Sequence, residues 1–224
     1  MTNLKWGLCL DLDGTVLDSF REGQRRMFRA ARNIGLPVTP ELEKRAKSIW
    51  GQAVSQIVST LWPSVNIDLL RLEWTNIELS ELISPIPGAI EALEKLREKF
   101  YICILTSRDR ATTEYQISPF VHLFDFVVTI DDVIFAKPHP KSMEPAMIRF
   151  RNLGVSAGHI TICGDTVEPD LKLAQNMKMH FYGVTTGVNR REDFMNAGLQ
   201  EKFIINSIVD LLTVFDVKNL ISLR

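Results

Sequence analysis

Two aspartates near the start of the chain have the type and spacing of a catalytic or metal-binding pair. Asp11 and Asp13 follow Leu8-Cys9-Leu10, an apolar run typical of a buried strand, and Gly14 comes directly after them. Side chains alternate along extended backbone, so both carboxylates can point to the same side, while glycine allows a turn and the close approach of a ligand. Such a pair indicates either a divalent cation between the carboxylates or one carboxyl group that keeps its proton.

Two further polar clusters follow later apolar runs. Thr106 and Ser107 come after Ile104-Leu105, where a hydroxyl and exposed backbone N–H groups could cradle an oxyanion. The segment 164–170 carries three carboxylates, those of Asp165, Glu168 and Asp170, after another apolar run. Such a cluster is costly unless a cation neutralises it, so the sequence favours a metal site over a solvated loop.

One lysine lies in a segment whose backbone is restricted. Lys137 stands in Ala136-Lys137-Pro138-His139-Pro140, where two prolines limit the backbone and thereby fix where the ammonium group can reach. The alternative interpretation is an ordinary surface lysine.

The elements that must position these residues alternate between strand and helix. Strand-like runs lie at Leu4–Leu10, Tyr101–Leu105, Phe124–Thr129, Ile160–Cys163, Phe181–Thr185 and Phe203–Ile205, and one intervening helix begins near Pro87-Gly88-Ala89. This alternation predicts an α/β fold with a parallel sheet and helices on both faces. Ligands bind such open sheets beyond the carboxyl ends of the strands, where Asp11, Thr106 and Asp165 would gather.

The segment from about residue 20 to 84 interrupts this alternation. It contains helical patterns at Arg21–Asn33, Pro40–Trp50, Ala53–Leu61 and Ile67–Leu82. The sequence therefore predicts a core of residues 1–19 and 85–224 with an inserted helical cap of residues 20–84. Both connections of the insertion lie beside the predicted site, as a closing lid requires.

Composition excludes several classes of function. The chain has 224 residues, with 26 basic and 27 acidic side chains and a formal net charge of -1, which gives no electrostatic basis for binding nucleic acid or an anionic membrane. No leader pattern begins at Met1, and no apolar run approaches the roughly 20 residues of a spanning helix. We therefore expect a cytoplasmic protein. Its three cysteines, Cys9, Cys103 and Cys163, are predicted to be buried strand residues.

The clusters together resemble the motifs of the haloacid dehalogenase superfamily, most closely its phosphoglycolate-phosphatase-type branch. The first motif is matched by Asp11-Leu12-Asp13-Gly14-Thr15-Val16-Leu17-Asp18-Ser19, the second by Thr106, the third by Lys137-Pro138-His139-Pro140 and the fourth by Gly164-Asp165 with Asp170. The resemblance extends over almost the whole chain. It implies a Rossmann-like sheet with the strand order 5-4-1-2-3 and an inserted α-helical cap of the C1 type.

The chemistry that the resemblance implies is hydrolysis of a small phosphorylated metabolite through an aspartyl-phosphate. Asp11 would be the nucleophile, and Asp13 the general acid and then the general base. The transferring oxygens would be held by Lys137, Thr106 and the backbone N–H groups of Leu12, Asp13 and Ser107.

The resemblance also implies Mg²⁺ as cofactor. Its protein ligands would be one oxygen of Asp11, the main-chain carbonyl of Asp13, and Asp165. Asp170 would hold a metal-bound water or position Lys137. The spacing from Asp165 to Asp170 is longer than in many relatives, so Glu168 could share the role of Asp170.

Residues within the motifs separate the possible activities. Haloacid dehalogenases and phosphonatases normally lack the second aspartate of the first motif, so Asp13 favours phosphate ester chemistry. A β-phosphoglucomutase-like phosphotransferase is the weaker alternative, because such enzymes carry a histidine soon after the first motif, where this chain has Phe20 and Arg21. A catalytically silent scaffold that binds metal or phosphate is a further alternative.

The physiological substrate is open at this stage, as is the choice between a monomer and a small homo-oligomer. Specificity is expected from cap residues near Gly51, namely Lys47, Trp50 and Gln52. Arg108, next to the phosphate cradle, is a candidate for binding a second anionic group of the substrate.

Overall fold

The structure is a computed structural model that describes residues 5–49 and 54–215. It divides into two compact units. The first unit runs as far as Asp18 and resumes at Ser84, and we call it the sheet unit. The second, Ser19–Ile83, we call the helical unit. Over the described ranges, no helix combines the length and the apolar character needed to cross a membrane.

The sheet unit is built on a parallel sheet. Its strands are β1 (Trp6–Leu10), β2 (Phe100–Leu105), β3 (Phe126–Val128), β4 (Ile160–Gly164), β5 (His180–Val184) and β6 (Ile204–Ile205). Every neighbouring pair is parallel, in the order β3-β2-β1-β4-β5-β6. The predicted α/β fold and strand order are confirmed, and β6 extends the sheet beyond β5.

The register of the central strands aligns their carboxyl ends. Leu10 of β1 lies beside Ile104 of β2 on one side and beside Cys163 of β4 on the other. The backbone N–H of Asp11 continues this pairing by donating to the carbonyl of Cys163 at 2.9 Å. The residues that follow β1, β2 and β4 therefore emerge side by side, at the point where the order of the sheet reverses.

The helical unit contains α1 (Ser19–Asn33), α2 (Pro40–Ile49), α3 (Val54–Leu61) and α4 (Ile67–Glu78). These helices enclose an apolar cluster that includes Met27, Phe28, Ile57, Trp62 and Leu70. Trp50 and Ala53, at two of the predicted helix ends, lie outside the described residues.

The predicted helix Ile67–Leu82 is too long. The helix ends at Glu78, and the N–H of the next residue, Leu79, donates to the carbonyls of Thr75 and Ile77. The hydroxyl of Ser80 also donates to the carbonyl of Ile77, at 2.8 Å. Leu79 and Leu82 continue the apolar spacing of the helix beyond Glu78, but both side chains are exposed, so burial does not extend the helix.

The described part of the sheet unit contains six α-helices, besides shorter helical turns: α5 (Ala89–Leu96), α6 (Arg110–Ile117), α7 (Glu144–Asn152), α8 (Lys172–Met177), α9 (Arg191–Asn196) and α10 (Leu211–Val214). Cys9, Cys103 and Cys163 are fully buried free thiols in β1, β2 and β4, as predicted. Burial raises the pKa of the Cys103 and Cys163 thiols well above the ordinary value, so these cysteines are packing residues of the sheet.

Candidate active site

The first motif forms a closed loop at the end of β1. The N–H groups of Val16 and Leu17 both donate to the carbonyl of Leu12 at 2.9 Å, and the N–H of Gly14 donates to the carbonyl of Leu17 at 2.9 Å. Gly14 has a φ of 72°, and a Cβ atom there would lie 2.5 Å from Oδ2 of Asp165. Glycine is therefore required both for the turn and for the close approach of Asp165 to the loop.

Three carboxylates meet beyond the ends of β1 and β4. Oxygens of Asp11, Asp165 and Asp170 lie within 4.8 Å of one another. The residues are almost excluded from solvent, with 9% of Asp11 and 2% each of Asp165 and Asp170 exposed. Glu168, the predicted alternative to Asp170, is exposed and lies outside this cluster.

Lys137 lies inside the same cluster. Its Nζ atom is 2.7 Å from Oδ1 of Asp11, 2.7 Å from Oδ1 of Asp170 and 3.1 Å from the carbonyl of Leu105. The ammonium group thus uses its three donors on two carboxylates and one backbone carbonyl at the end of β2. The interpretation of Lys137 as an ordinary surface lysine is wrong, because its side chain is buried.

The electrostatics of the cluster are set by three carboxylates that face one ammonium. Burial raises the pKa of Asp11 to about 7, because the opposing effect of Lys137 is smaller and the charges of Asp170 and Asp13 add to the rise. Burial, with Asp11 and Asp170, likewise raises the pKa of Asp165 well above its ordinary value. Burial alone would lower the pKa of Lys137, but Asp11 and Asp170 outweigh it and raise that pKa.

The donor set fits a divalent cation. Its oxygens are hard ligands of the kind that Mg²⁺ prefers, and they lie close enough for two or three of them to bind one ion. A second positive charge would also offset the negative charge of the neighbouring carboxylates, which adds to the effect of burial in raising the pKa values of Asp11 and Asp165.

Residues that were not predicted to belong to the site hold the two distal carboxylates in place. Asp165 accepts a hydrogen bond from the N–H of Val188 at 2.7 Å. Asp170 accepts from both the N–H and the hydroxyl of Thr166. At Gly187 a Cβ atom would lie only 1.9 Å from Oδ2 of Asp165, so the loop after β5 must carry glycine there. Sequence reasoning missed these supporting roles. Only for Gly187 was a signal available, in the run of glycine and threonine residues after β5.

The second motif lies at the end of β2, next to the first. Thr106 is buried, its N–H donates to the carbonyl of Val128 at 3.0 Å, and its hydroxyl accepts from the N–H of Arg108 at 3.1 Å. Ser107 lies between them in the same bend. The structure therefore brings Thr106 to the sheet edge that carries Asp11, as the alternation of elements predicted.

Asp13 and Arg108 form an ion pair that the sequence did not predict. Nε of Arg108 is 3.1 Å from Oδ2 of Asp13, and Nη2 is 2.8 Å from Oδ1. The two residues are 95 positions apart, and no local pattern links them. Each was predicted to be a site residue, but with a separate role.

Of the three cap residues predicted to contact substrate, one lies within the described residues. Lys47 is an exposed residue in the last turn of α2. Trp50 and Gln52 lie outside the described residues.

Comparisons with known proteins agree with this architecture. A family model described as haloacid dehalogenase-like hydrolase matches residues 8–184. The phosphoglycolate phosphatase of Vibrio cholerae is 26% identical over 223 residues, which cover 92% of this chain and 95% of that relative. Pyrophosphatase PpaX of Halalkalibacterium halodurans is 30% identical over 145 residues, which cover 62% of this chain and 63% of that relative.

Solved structures share the fold at low sequence identity. A haloacid dehalogenase-like family hydrolase of Streptococcus pneumoniae aligns with a TM-score of 0.74 at 20% identity, over 96% of this chain and 100% of that chain. The YfnB protein of Bacillus subtilis, solved bound to magnesium, gives a TM-score of 0.74 at 19% identity, over 94% of this chain and 98% of that chain. These likenesses establish the fold.

Proposed function

Because the chain belongs to the haloacid dehalogenase-like hydrolase family, as its motifs predicted, we propose that it is a Mg²⁺-dependent phosphatase. Its substrate would be a small phosphate monoester, hydrolysed through an aspartyl-phosphate on Asp11. The observation that carries this proposal is the contact of Asp11 with Lys137 inside a buried carboxylate cluster at the carboxyl edge of the sheet. A carboxylate nucleophile and a fixed ammonium are the two groups that attack on an anionic phosphate requires.

In the first step an oxygen of Asp11 attacks phosphorus while the bond from phosphorus to the leaving oxygen breaks. Asp13 gives its proton to that oxygen, so the product leaves as an alcohol. Lys137 binds Oδ1 of Asp11 at 2.7 Å, which orients the carboxylate and reduces its repulsion toward the phosphate. Asp170 keeps Lys137 in this position through its own contact at 2.7 Å.

In the second step Asp13, now a carboxylate, takes a proton from water. The resulting hydroxide attacks phosphorus, the bond from phosphorus to the oxygen of Asp11 breaks, and inorganic phosphate leaves. Asp11 is regenerated as a carboxylate and Asp13 again carries a proton, so the cycle closes.

The transferring oxygens need hydrogen-bond donors at the same edge of the sheet. We assign this role to the hydroxyl of Thr106 and to the backbone N–H groups of Leu12, Asp13 and Ser107. Support comes from the parallel register, which sets the ends of β1 and β2 side by side. Donors fixed by the backbone need no reorganisation when charge develops on the phosphate.

The cation would be held by one oxygen of Asp11, the main-chain carbonyl of Asp13, and Asp165. When bound, Mg²⁺ supplies positive charge that offsets the charge of the phosphate. Asp170, through Lys137 or a water molecule, would support this arrangement rather than Glu168, which is exposed.

We also propose that the helical unit acts as a cap, with Lys47, Trp50 and Gln52 as candidate substrate contacts. The connections to this unit support the idea, because they run together in the sheet unit directly after the first motif. The N–H of Asp18 donates to the carbonyl of Ser84 at 2.9 Å, and the N–H of Ile86 donates to the carbonyl of Val16 at 2.8 Å. Paired connections of this kind can serve as a hinge, and closure would exclude water from the site.

The test is a turnover screen of the purified protein with Mg²⁺ against an aryl phosphate, phosphoglycolate, pyrophosphate, sugar phosphates and nucleoside monophosphates. We expect hydrolysis that chelation abolishes and Mg²⁺ restores. Ca²⁺ should inhibit, because it prefers a larger and looser shell of oxygen ligands and would then compete with the phosphate for the oxygens of Asp11. Full activity in chelator would contradict the proposal. A failure to hydrolyse any of the tested phosphates would contradict it as well.

The same screen separates the alternatives. A phosphotransferase would isomerise a sugar phosphate without accumulating inorganic phosphate, and a silent scaffold would bind metal without turnover. The cytoplasmic location, the small-metabolite partner and the absence of nucleic-acid and membrane partners stay predictions.

A further inference from the structure

The loop between β4 and α8 carries both distal carboxylates, Asp165 and Asp170, at the longer of the spacings expected for the fourth motif. Its residues Val167–Leu171 form a wide turn. The N–H of Leu171 donates to the carbonyl of Thr166, five residues back, at 3.1 Å, whereas an α-helix would bond four residues back. Such a turn takes up one extra residue and is frequent at functional sites. The backbone thus absorbs the longer spacing, and Asp170 still reaches the cluster.

The carboxylate of Asp170 is held from several directions. It accepts from the N–H and the hydroxyl of Thr166, and from Nζ of Lys137 at 2.7 Å. It also lies against the backbone of Gly164, where a Cβ atom would be 2.5 Å from its Cγ atom. Lys137 divides its contacts between Asp170 and Asp11. A shift of Asp170 would therefore move the ammonium relative to the proposed nucleophile.

Asn189, in the loop after β5, is bonded to the start of the wide turn. Its side-chain oxygen Oδ1 accepts from the N–H of Val167, the first residue of the turn, at 2.7 Å. Its amide nitrogen Nδ2 donates to Oδ2 of Asp193 at 3.4 Å, and the same oxygen of Asp193 accepts from the N–H of Arg190 at 2.8 Å. The amide is thus oriented by both of its ends, and its oxygen has a fixed position for the backbone of the turn.

The backbone of Asn189 serves the other distal carboxylate. Its N–H donates to the main-chain carbonyl of Asp165 at 3.1 Å, beside the bond from Val188 to the Asp165 side chain. A substitution of the Asn189 side chain leaves both of these backbone donors in place. The residue therefore has two separable contacts, one to the proposed metal ligand through its backbone and one to the turn that carries Asp170 through its side chain.

We propose that Asn189 is a positioning residue of the active site. Its side-chain amide fixes the wide turn, and through Asp170 it holds Lys137 against the nucleophile. This inference rests on the proposed phosphatase function, in which Lys137 orients the nucleophile. Without the amide, the N–H of Val167 loses its acceptor, the turn relaxes, and the ammonium loses its fixed position. Misplacement by about 1 Å can cost about 100-fold in rate.

The variants exchange the two side chains at positions 189 and 193. Asn189→Ala removes the acceptor for Val167. The double variant of Asn189→Asp with Asp193→Asn keeps an acceptor oxygen at position 189, a donor and acceptor pair between the two positions, and the net charge. Asp193→Asn alone controls for the second change. Asn196→Ala, at an exposed asparagine of α9, controls for the loss of an amide side chain. Melting curves verify that each variant is folded.

The first measurement is turnover of an aryl phosphate at saturating Mg²⁺, together with Mg²⁺ binding by calorimetric titration. Asn189→Ala should lower kcat by at least about tenfold. Its Mg²⁺ affinity should change much less, because Asp165 keeps both of its backbone donors. The exchange variant should restore kcat to within about threefold of the wild type. Asp193→Asn and Asn196→Ala should match the wild type in both quantities.

The second measurement needs no turnover. Denaturation midpoints in chelator are compared for the wild type, Asn189→Ala, Lys137→Met and the variant that combines both changes. The combined shift should be smaller than the sum of the two single shifts, because the first change already weakens the contact that the second removes. Asn196→Ala combined with Lys137→Met should give additive shifts, since no shared contact links those two residues in the proposal.

Four outcomes would overturn the inference. They are additive shifts for Asn189→Ala and Lys137→Met, a kcat of Asn189→Ala within about threefold of the wild type, a lowered kcat that the exchange variant does not restore, and a loss of Mg²⁺ affinity as large as the loss of kcat. The last would place the effect at Asp165 instead. If the combined variant does not fold, the kinetic comparison decides. If the wild type hydrolyses no phosphate, the proposed function fails, and the denaturation midpoints still decide whether Asn189 holds Lys137.

Discussion

The Nζ atom of Lys137 lies 2.7 Å from Oδ1 of Asp11, although 126 positions separate the two residues in the chain. The parallel sheet makes this contact possible, because it ends β1 and β2 at the same edge and Lys137 reaches that edge from the segment after β3. The lysine supplies the permanent positive charge of a cluster that otherwise holds only carboxylates.

Replacing Lys137 should therefore affect both stability and catalysis. Lys137→Met keeps the length of the side chain but leaves Asp11 and Asp170 without their shared cation, and breaking a buried ion pair costs about 3 to 5 kcal/mol. We expect a free energy of unfolding lower by about this amount in chelator, and loss of turnover with Mg²⁺. The control Lys141→Met changes an exposed lysine and should stay within about 0.5 kcal/mol of the wild type. Equal denaturation midpoints for the two variants would contradict this role.

The raised pKa values predict how the metal-free protein responds to pH. Burial raises the folded-state pKa of Asp11 to about 7, and Asp165 shifts in the same direction. Folded protein then binds protons that the unfolded chain has released, so this stabilisation is complete at pH values below about 4 and is lost as the pH rises through about 7. Mg²⁺ competes with those protons. Its stabilising effect on the melting temperature should therefore be larger at about pH 8 than at about pH 5.

Calorimetry in chelator and in Mg²⁺ measures this dependence directly. Asp11→Asn removes one of the titrating groups, so the melting temperature of this variant should depend less on pH. A Mg²⁺ shift of the melting temperature that is the same at both pH values would show that the buried carboxylates are not its binding site.

The glycine after β5 offers a test of the metal site in which none of the proposed ligands is substituted. In Gly187→Ala the new Cβ atom would lie 1.9 Å from Oδ2 of Asp165, so the loop or the carboxylate must shift. Overpacking of this kind costs about 1 to 3 kcal/mol. We expect weaker Mg²⁺ binding by calorimetric titration and a higher Mg²⁺ concentration for half-maximal turnover. Gly158→Ala is the matched control, because a Cβ atom there meets nothing within 4 Å. Identical Mg²⁺ affinities in the two variants would contradict this coupling between the loop after β5 and the metal site.

Much of the fold could be predicted because its signals are local. Apolar runs such as Leu8–Leu10 are typical of strands buried on both faces, and a polar residue at the end of each run marks the edge of the sheet. The alternation of strands and helices predicted that Asp11 and Asp165 meet at that edge, and the resemblance of the motifs to the family implied that Lys137 and Asp170 join them.

Other features depend on contacts that no local pattern encodes. The pairing of Asp13 with Arg108 joins two loops through side-chain geometry alone. The support of Asp165 by Val188 uses a backbone N–H, which carries no sequence signal. The end of α4 at Glu78 was missed because Leu79 and Leu82 keep the apolar spacing of the helix while remaining exposed.

The most direct test of the mechanism is a search for the phosphoryl group on Asp11. Wild type and Asp11→Asn, a substitution that keeps shape but removes the nucleophile, are mixed with Mg²⁺ and an aryl phosphate, quenched in acid within the first turnover, and digested for mass spectrometry. Asp13→Asn is included because slower hydrolysis of the intermediate should increase its amount, while an aryl leaving group needs little help from a proton donor. The mechanism predicts one phosphoryl group on the peptide that contains Asp11 in the wild type, more of it in Asp13→Asn, and neither label nor turnover in Asp11→Asn. Turnover by Asp11→Asn within tenfold of the wild type, or a label on another residue, would contradict it.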